Sequence, residues 1–220
     1  MAEEIKLPTG PIGIYLSGGS DSAILFWLIA SQRQHDVVLL TVASDDKKYN
    51  IEPALAVSRW IQCYTSVKIL EHCVTIAPNL ESRKEYRDQA TNNLTEQYNL
   101  SCWVSGKTRN PDVKLKHHEQ RKKDRDVLLS RVIHNHFYRP FYDVNKSHLA
   151  MIYKKYNIKA LQDLTVSCET SYPPCEDCWW CAEREWAFST TRTMSALGTQ
   201  VGITAGNTVL LSSSLGGNYV

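Results

Sequence analysis

Apolar and polar positions along the chain fall into blocks whose period switches between that of a strand and that of a helix. Residues 10–16 are apolar and β-rich, which predicts a first strand, and from Asp21 the apolar Ile24, Leu25, Leu28 and Ile29 recur at helical spacing. Residues 37–42 form a near-continuous apolar run, as a strand buried on both faces of a parallel sheet requires. Residues 54–61 read as a helix, 67–74 as a third strand, 80–98 as a polar helix and 101–105 as a fourth strand. This alternation predicts an α/β fold with a doubly wound, mainly parallel sheet and right-handed crossovers.

Beyond the fourth strand the pattern loosens. Residues 110–126 crowd Lys114, Lys116, His117, His118, Arg121, Lys122, Lys123 and Arg125 together, which suits a solvated loop or a lid that recruits anions. Helical spacing resumes over 126–137. Asn145 or Asp143 can cap a further helix whose apolar face is Leu149, Ile152, Tyr153 and Tyr156. A helix is expected over 181–194, and the Gly-, Ser- and Thr-rich tail reads as an edge hairpin or a disordered end. The chain thus divides into an α/β part over 1–139, a helical and metal-binding region packed on it over 140–197, and a tail over 198–220.

Composition narrows the class. The 220 residues carry a net charge of +2, so no global field argues for nucleic acid or a membrane surface. The first residues lack the basic-then-apolar pattern of a signal peptide, and no apolar run approaches the roughly 18 residues that cross a bilayer. Seven cysteines, four of them clustered, suit a reducing cytoplasm better than a disulfide framework. Cys63, Cys73 and Cys102 lie in apolar or strand-like contexts and read as small buried hydrophobes.

Two motifs carry chemistry. Cys168, Cys175, Cys178 and Cys181 fall within fourteen residues, the last three at Cys-x-x-Cys-x-x-Cys spacing. Four thiolates that converge on one ion satisfy tetrahedral Zn²⁺ with no open position, so the site reads as structural. Trp179 and Trp180, between the last two cysteines, either stack on a planar base or pack around the metal. The second motif is Ser17-Gly18-Gly19-Ser20-Asp21-Ser22, following Leu16 between the first strand and the first helix. Its glycines let the backbone approach an anion, and a helix start offers free N–H groups and a favourable dipole. Asp21 belongs beside phosphate only if it holds Mg²⁺ or orients a backbone group. The Gly-Lys-[Ser/Thr] ending of a Walker loop is missing.

The 17–22 motif resembles the PP-loop of the ATP pyrophosphatases. That resemblance implies an adenine nucleotide alpha-hydrolase-like fold, ATP and Mg²⁺ at Leu16–Ser22, and cleavage of ATP between its α and β phosphates with AMP passed to a substrate oxygen. The downstream order narrows it. Pro140 to Lys146, then Leu164-Thr165-Val166-Ser167-Cys168, then Cys175-x-x-Cys178-x-x-Cys181-x-x-Arg184 resembles the 7-cyano-7-deazaguanine synthase family. The chain departs from that family at Glu176, where glycine is usual, and at Trp179 and Trp180, where small polar residues are commoner. Gly106-Lys107-Thr108-Arg109-Asn110-Pro111 is only a loose counterpart of its Gly-Arg-Asn signature.

The implied reaction is physically coherent. A carboxylate resists attack because oxide would have to leave. Adenylation makes a mixed anhydride with AMP as leaving group, and ammonia then gives the amide. A second adenylation, at the amide oxygen, lets AMP depart and leaves a nitrile. The product would be a 7-cyano-7-deazaguanine destined for nucleic-acid modification, made by a cytoplasmic carbon–nitrogen ligase from ATP, ammonia and a small deazapurine. The reading leaves a homodimer open, as it does a variant that stops at the amide. Lys107, Arg109 and Lys146 are the candidate catalytic cations, each of which alone could equally be a solvated surface charge. The alternatives are a PP-loop tRNA thiolase, a sulfonucleotide reductase relative, and a zinc-knot binding module in which the Ser-Gly-Gly turn is incidental.

Overall fold

The computed structural model describes residues 5–120, 132–133, 136–194, 200–202 and 210–212. Its strands are β1 (Ile12–Tyr15), β2 (Val37–Ser44), β3 (Ile69–Ala77), β4 (Cys102–Val104), β5 (Val132–Ile133) and β6 (Phe137–Tyr138). They form one sheet in the order β3-β2-β1-β4-β6-β5. All neighbours are parallel except the edge strand β5, which runs antiparallel to β6. The order reverses between β1 and β4, and that is where open α/β sheets place their ligands.

The helices are α1 (Ser20–Gln32), α2 (Ile51–Thr65), α3 (Arg83–Tyr98), α4 (Lys146–Lys155), α5 (Lys159–Asp163) and α6 (Trp179–Met194). Alternate side chains of β2 serve two cores. Val37 and Leu39 pack with residues of α1, α2 and α4, whereas Val38, Leu40 and Val42 pack with Leu94 of α3, Leu100 and Trp103. The sheet is therefore covered on both faces, as its apolar runs require. In α1, Ala23 to Phe26 and Leu28 to Ala30 are all buried, because the helix is wedged between the sheet, α2 and α4. In α3 only Leu94 is buried, so that helix covers its face with half-exposed polar side chains. At α4 the expected cap is Asn145, whose side chain accepts the Ser147 N–H at 3.1 Å.

Three expectations change. The helix read over 126–137 does not continue to its end: Val132–Ile133 and Phe137–Tyr138 are strands that extend the sheet beyond β4, while 126–131 lie outside the described residues. A stretch that short satisfies either period, and the open edge of β4 decided it. Cys63 is exposed and Cys73 half-buried; Cys102 alone of the three is buried, and burial pushes its thiol up to about 12. In the tail, Gln200–Gly202 and Leu210–Ser212 pair antiparallel as β7 and β8, a hairpin that forms its own two-stranded sheet. No helix among the described residues is long and apolar enough to cross a membrane.

Candidate functional site

The chain leaves β1 through a loop that its own hydroxyls hold in shape. Leu16 is fully buried, and its N–H donates to the Leu40 carbonyl at 2.9 Å, pinning the loop to β2. Gly18 sits at φ +77°, where a Cβ would lie 2.9 Å from Ala54 N, Asn50 O and Pro53 Cβ, so only glycine fits. The Ser22 hydroxyl accepts the Ser17 N–H at 3.1 Å and donates to the Gly19 carbonyl at 3.1 Å. The Ser17 and Ser22 hydroxyls are 3.0 Å apart. Gly19 caps α1 in an extended conformation with no side-chain acceptor, so no side chain competes for the first-turn N–H groups.

Residues from the far half of the chain close over this loop. Val166 N–H donates to the Gly18 carbonyl at 2.9 Å, and the Ser20 and Ser167 hydroxyls are 3.4 Å apart. Arg184 of α6 fastens this strap, donating to Thr165 Oγ1 at 2.7 Å, Ser167 Oγ at 3.3 Å and the Gln162 carbonyl at 2.8 Å. Burial holds the Arg184 guanidinium below its ordinary pKa, and the charges around it only partly restore it. From α4, Tyr153 donates its buried hydroxyl to the Ser20 carbonyl at 2.8 Å.

Charge gathers at Asp21. Its carboxylate receives the Ser20 hydroxyl at 3.1 Å and the Thr108 hydroxyl at 3.4 Å, and Lys146 Nζ lies 3.5 Å away. Lys146 also meets a Glu183 carboxylate oxygen at 2.8 Å. Gly106 allows this approach, since a Cβ there would come within 2.6 Å of the Asp21 carbonyl. Ser17, Gly19, Ser20, Asp21, Lys146 and Glu183 line a cavity of about 140 Å³. Tyr49 and Asn50 border it too. The Tyr49 hydroxyl and Asn50 Oδ1 are buried without a hydrogen-bond partner among the described residues, as polar groups that await a ligand would be.

The four cysteines converge beside the cavity, and Cys168 lines it. Their Sγ atoms lie within 4.8 Å of one another, with Cys168–Cys175 at 3.6 Å, Cys168–Cys178 at 3.8 Å and Cys178–Cys181 at 3.5 Å. All are free thiols. Burial pushes the Cys168 thiol up, but backbone N–H groups of Cys175, Ser171 and Thr170 outweigh it and bring it down to about 6. Burial and the neighbouring Cys178 push Cys181 up to about 12. The basic segment reaches this region as well: Lys116 and His117 meet Asp177, and the Trp179 N–H donates to Gln120 Oε1 at 3.1 Å. Arg121 to Arg125 lie outside the described residues.

Of the three candidate cations, the fold brings only Lys146 into the loop cavity. Lys107 lines a neighbouring groove, and Arg109 is half-exposed, 3.3 Å from Asp112 and outside both spaces. Sequence reasoning missed Glu183, Arg83, Tyr49 and Asn50. Glu183 lies inside the Cys181-x-x-Arg184 run, but its full burial is visible only in the fold. Nothing local marked the other three.

No family model matches the chain, and no curated protein matches it in sequence. Among solved structures it is similar to the U34-tRNA thiolase NcsA from Methanococcus maripaludis with its 4Fe-4S cluster, at 11% identity and a TM-score of 0.46, covering 84% of this chain and 66% of that one. It is also similar to the NH3-dependent NAD synthetase from Campylobacter jejuni subsp. jejuni in complex with nitrate, at 15% identity and a TM-score of 0.38, covering 84% and 86%. The chain spans just under two thirds of the thiolase's length. Likenesses of this size carry no argument about chemistry, which rests on the residues of the site.

Proposed function

We propose that the chain is an ATP-dependent, AMP- and pyrophosphate-forming enzyme that adenylates a 7-carboxy-7-deazaguanine-like acid and, with ammonia, converts it to the amide and then the nitrile. The observation that carries this reading is the convergence of the uncapped start of α1, Asp21 and Lys146 on one cavity at the end of β1. Backbone N–H groups and the Ser17 and Ser20 hydroxyls receive phosphate, Ser22 braces the loop through Ser17 and Gly19, and Lys146 balances the charge. Asp21 holds Mg²⁺ with the nucleotide, which explains a carboxylate beside an anion site. The acid part of the reading rests on the order of the downstream motifs, with Lys107 of the neighbouring groove as a further cation, whereas Arg109 borders neither space. Residues 1–139 form the nucleotide-binding part, 140–197 the helical and zinc-binding part, and 198–220 the tail.

Zinc is the metal that suits Cys168, Cys175, Cys178 and Cys181. A tetrahedron with Zn–S bonds of about 2.3 Å has edges of about 3.8 Å, close to the sulfur separations here. An iron–sulfur cluster would hold its cysteines apart by its own width. The ion supplies folding free energy to a loop with little core. One observation favours a sulfur-transfer enzyme instead: Cys168 lines the loop cavity. Against it, the Cys168 sulfur already receives the Thr170 and Ser171 N–H groups at 3.4 Å each, as a metal-bound thiolate does.

The test is pyrophosphate release from ATP with and without 7-carboxy-7-deazaguanine and ammonia, with the product weighed by mass spectrometry. Release that depends on the acid, with amide or nitrile formed, supports the reading. Release stimulated only by tRNA and a sulfur donor overturns it.

A further inference from the structure

The face of the sheet beside α3 holds a second space, larger than the cavity at the loop. It is a groove of about 920 Å³ that runs from Ser17 down over β1, β4 and β6. Its floor is aromatic. Tyr15 lies 4.8 Å from Trp103 and 5.5 Å from Phe137, ring centre to ring centre. The Trp103 indole lies against Gly13, where a Cβ would come within 2.4 Å of the ring, so a glycine in mid-strand leaves it room to lie there. The polar ends of this floor are already satisfied by α3: Tyr15 meets Thr91 at 2.7 Å, and Trp103 donates to Thr95 at 2.8 Å. What remains for a ligand is ring surface of the half-buried Tyr15 and Phe137, the latter flanked by the Arg139 guanidinium 5.7 Å from its centre, while Trp103, 4% exposed, backs them from within.

The wall is cationic. Arg83, Lys84, Arg87, Lys107 and Arg139 line the groove, with Asp88 as the acidic side chain among them. Asp88 is taken up by Lys84 at 3.0 Å and Arg87 at 2.7 Å. Arg139 has no carboxylate partner among the described residues, and its buried Nε has no hydrogen-bond partner among them either. Burial lowers the pKa of that guanidinium, and the nearby Arg87 charge lowers it further, so it is Arg139 that lacks an anion, Arg87 being held by Asp88. Arg139 directly follows β6, and Arg83 donates to the Val42 carbonyl at 2.8 Å near the end of β2. These cations therefore sit at the end of the sheet where the phosphate loop begins, and Ser17 and Arg83 border both spaces.

We propose that this groove binds a planar nitrogen heterocycle bearing an anionic group, its ring against Tyr15 and Phe137 and its anion at Arg139, at the end of the groove that Ser17 borders. The ring surface supplies stacking and the guanidinium group charge-assisted hydrogen bonds. Two sources share this chemistry: the base of a nucleotide whose phosphates enter the loop, or the heteroaromatic acid that is activated there. The second source rests on the adenylation reading; the groove itself does not.

Calorimetric titration of the full chain with AMP and, separately, with 7-carboxy-7-deazaguanine tests the site without turnover, so silence in a pyrophosphate assay leaves its result intact. Arg139→Gln and Phe137→Ala are measured beside the wild type, with circular dichroism to show that each is folded. Loss of roughly tenfold or more in affinity for AMP alone assigns the groove to the nucleotide, and the same loss for the acid alone assigns it to the acid. If neither probe binds the wild type, or both bind folded Arg139→Gln and Phe137→Ala as tightly as the wild type, the proposal is overturned.

Discussion

Lys146 Nζ lies 2.8 Å from a carboxylate oxygen of Glu183, with 5% and 0% of their side chains exposed. The two residues come from α4 and α6, thirty-seven positions apart, and the lysine's other neighbour is Asp21 of α1. Three helices thus meet through one ammonium group. A buried pair like this stabilises little by itself, because desolvation offsets attraction, but its rupture leaves an unpaired charge. Glu183→Ala is expected to cost about 3–5 kcal/mol in urea unfolding. The double variant Lys146→Met, Glu183→Leu is expected to recover most of that stability while pyrophosphate release stays absent. Full activity in the double variant would remove Lys146 from the chemistry.

At the loop, Asp21→Ala is expected to lower ATP-dependent pyrophosphate release by roughly 100-fold or more with the melting temperature little changed, since the carboxylate sits at the cavity and not in the core. Gly18→Ala behaves differently. It forces a side chain into positive φ against Asn50 and Ala54 backbone, so both activity and stability fall. Normal turnover by Asp21→Ala and Ser17→Ala together would sink the phosphate-loop assignment.

Purified without chelator, the chain is expected to hold one Zn²⁺, with X-ray absorption giving an all-sulfur shell at about 2.3 Å. Any one of Cys168, Cys175, Cys178 or Cys181 changed to Ser loses the metal and destabilises the carboxy-terminal half. Iron with inorganic sulfide, or an oxygen ligand in the shell, would falsify the closed zinc site.

The basic segment is tied to the knot through Lys116, His117 and Gln120. Chelation is therefore expected to speed tryptic cleavage after Lys114 and Lys116 well before the rest of the chain is attacked. Equal cleavage with and without metal would show that the segment does not depend on the knot.

His72 gives the pH dependence a definite sign. It is half-buried on β3, and its ring lies 2.9 Å from Thr41, whose hydroxyl donates to the Leu16 carbonyl under the loop. Burial lowers its pKa from 6.5 to about 4. Between those values the unfolded chain binds the proton and the folded chain does not, so stability falls as pH drops from about 6.5 toward 4 and is unaffected by this group above 6.5. Urea midpoints at pH 7.5 and 5 are expected to differ less in His72→Gln than in the wild type. An unchanged difference would show that other groups carry the dependence.

Much of the architecture could be read from local pattern. The β2 run is apolar at successive positions because both faces of that strand are covered, and a strand must alternate its side chains between them. The loop and the cysteines were equally legible, because short spacing is itself the geometric requirement for a backbone cradle or a shared ion. Only the tertiary structure separated Lys146 from Lys107 and Arg109. All three are basic residues near a predicted helix or loop, and what distinguishes Lys146 is burial against Asp21 and Glu183, residues distant in sequence. The same holds for Gly13, whose missing side chain matters only because β4 places Trp103 over it. Local sequence sets which segments are strands, helices and turns, since those depend on neighbours within a few residues. Which side chains meet is decided by the packing of whole elements, and no short window of sequence contains that information.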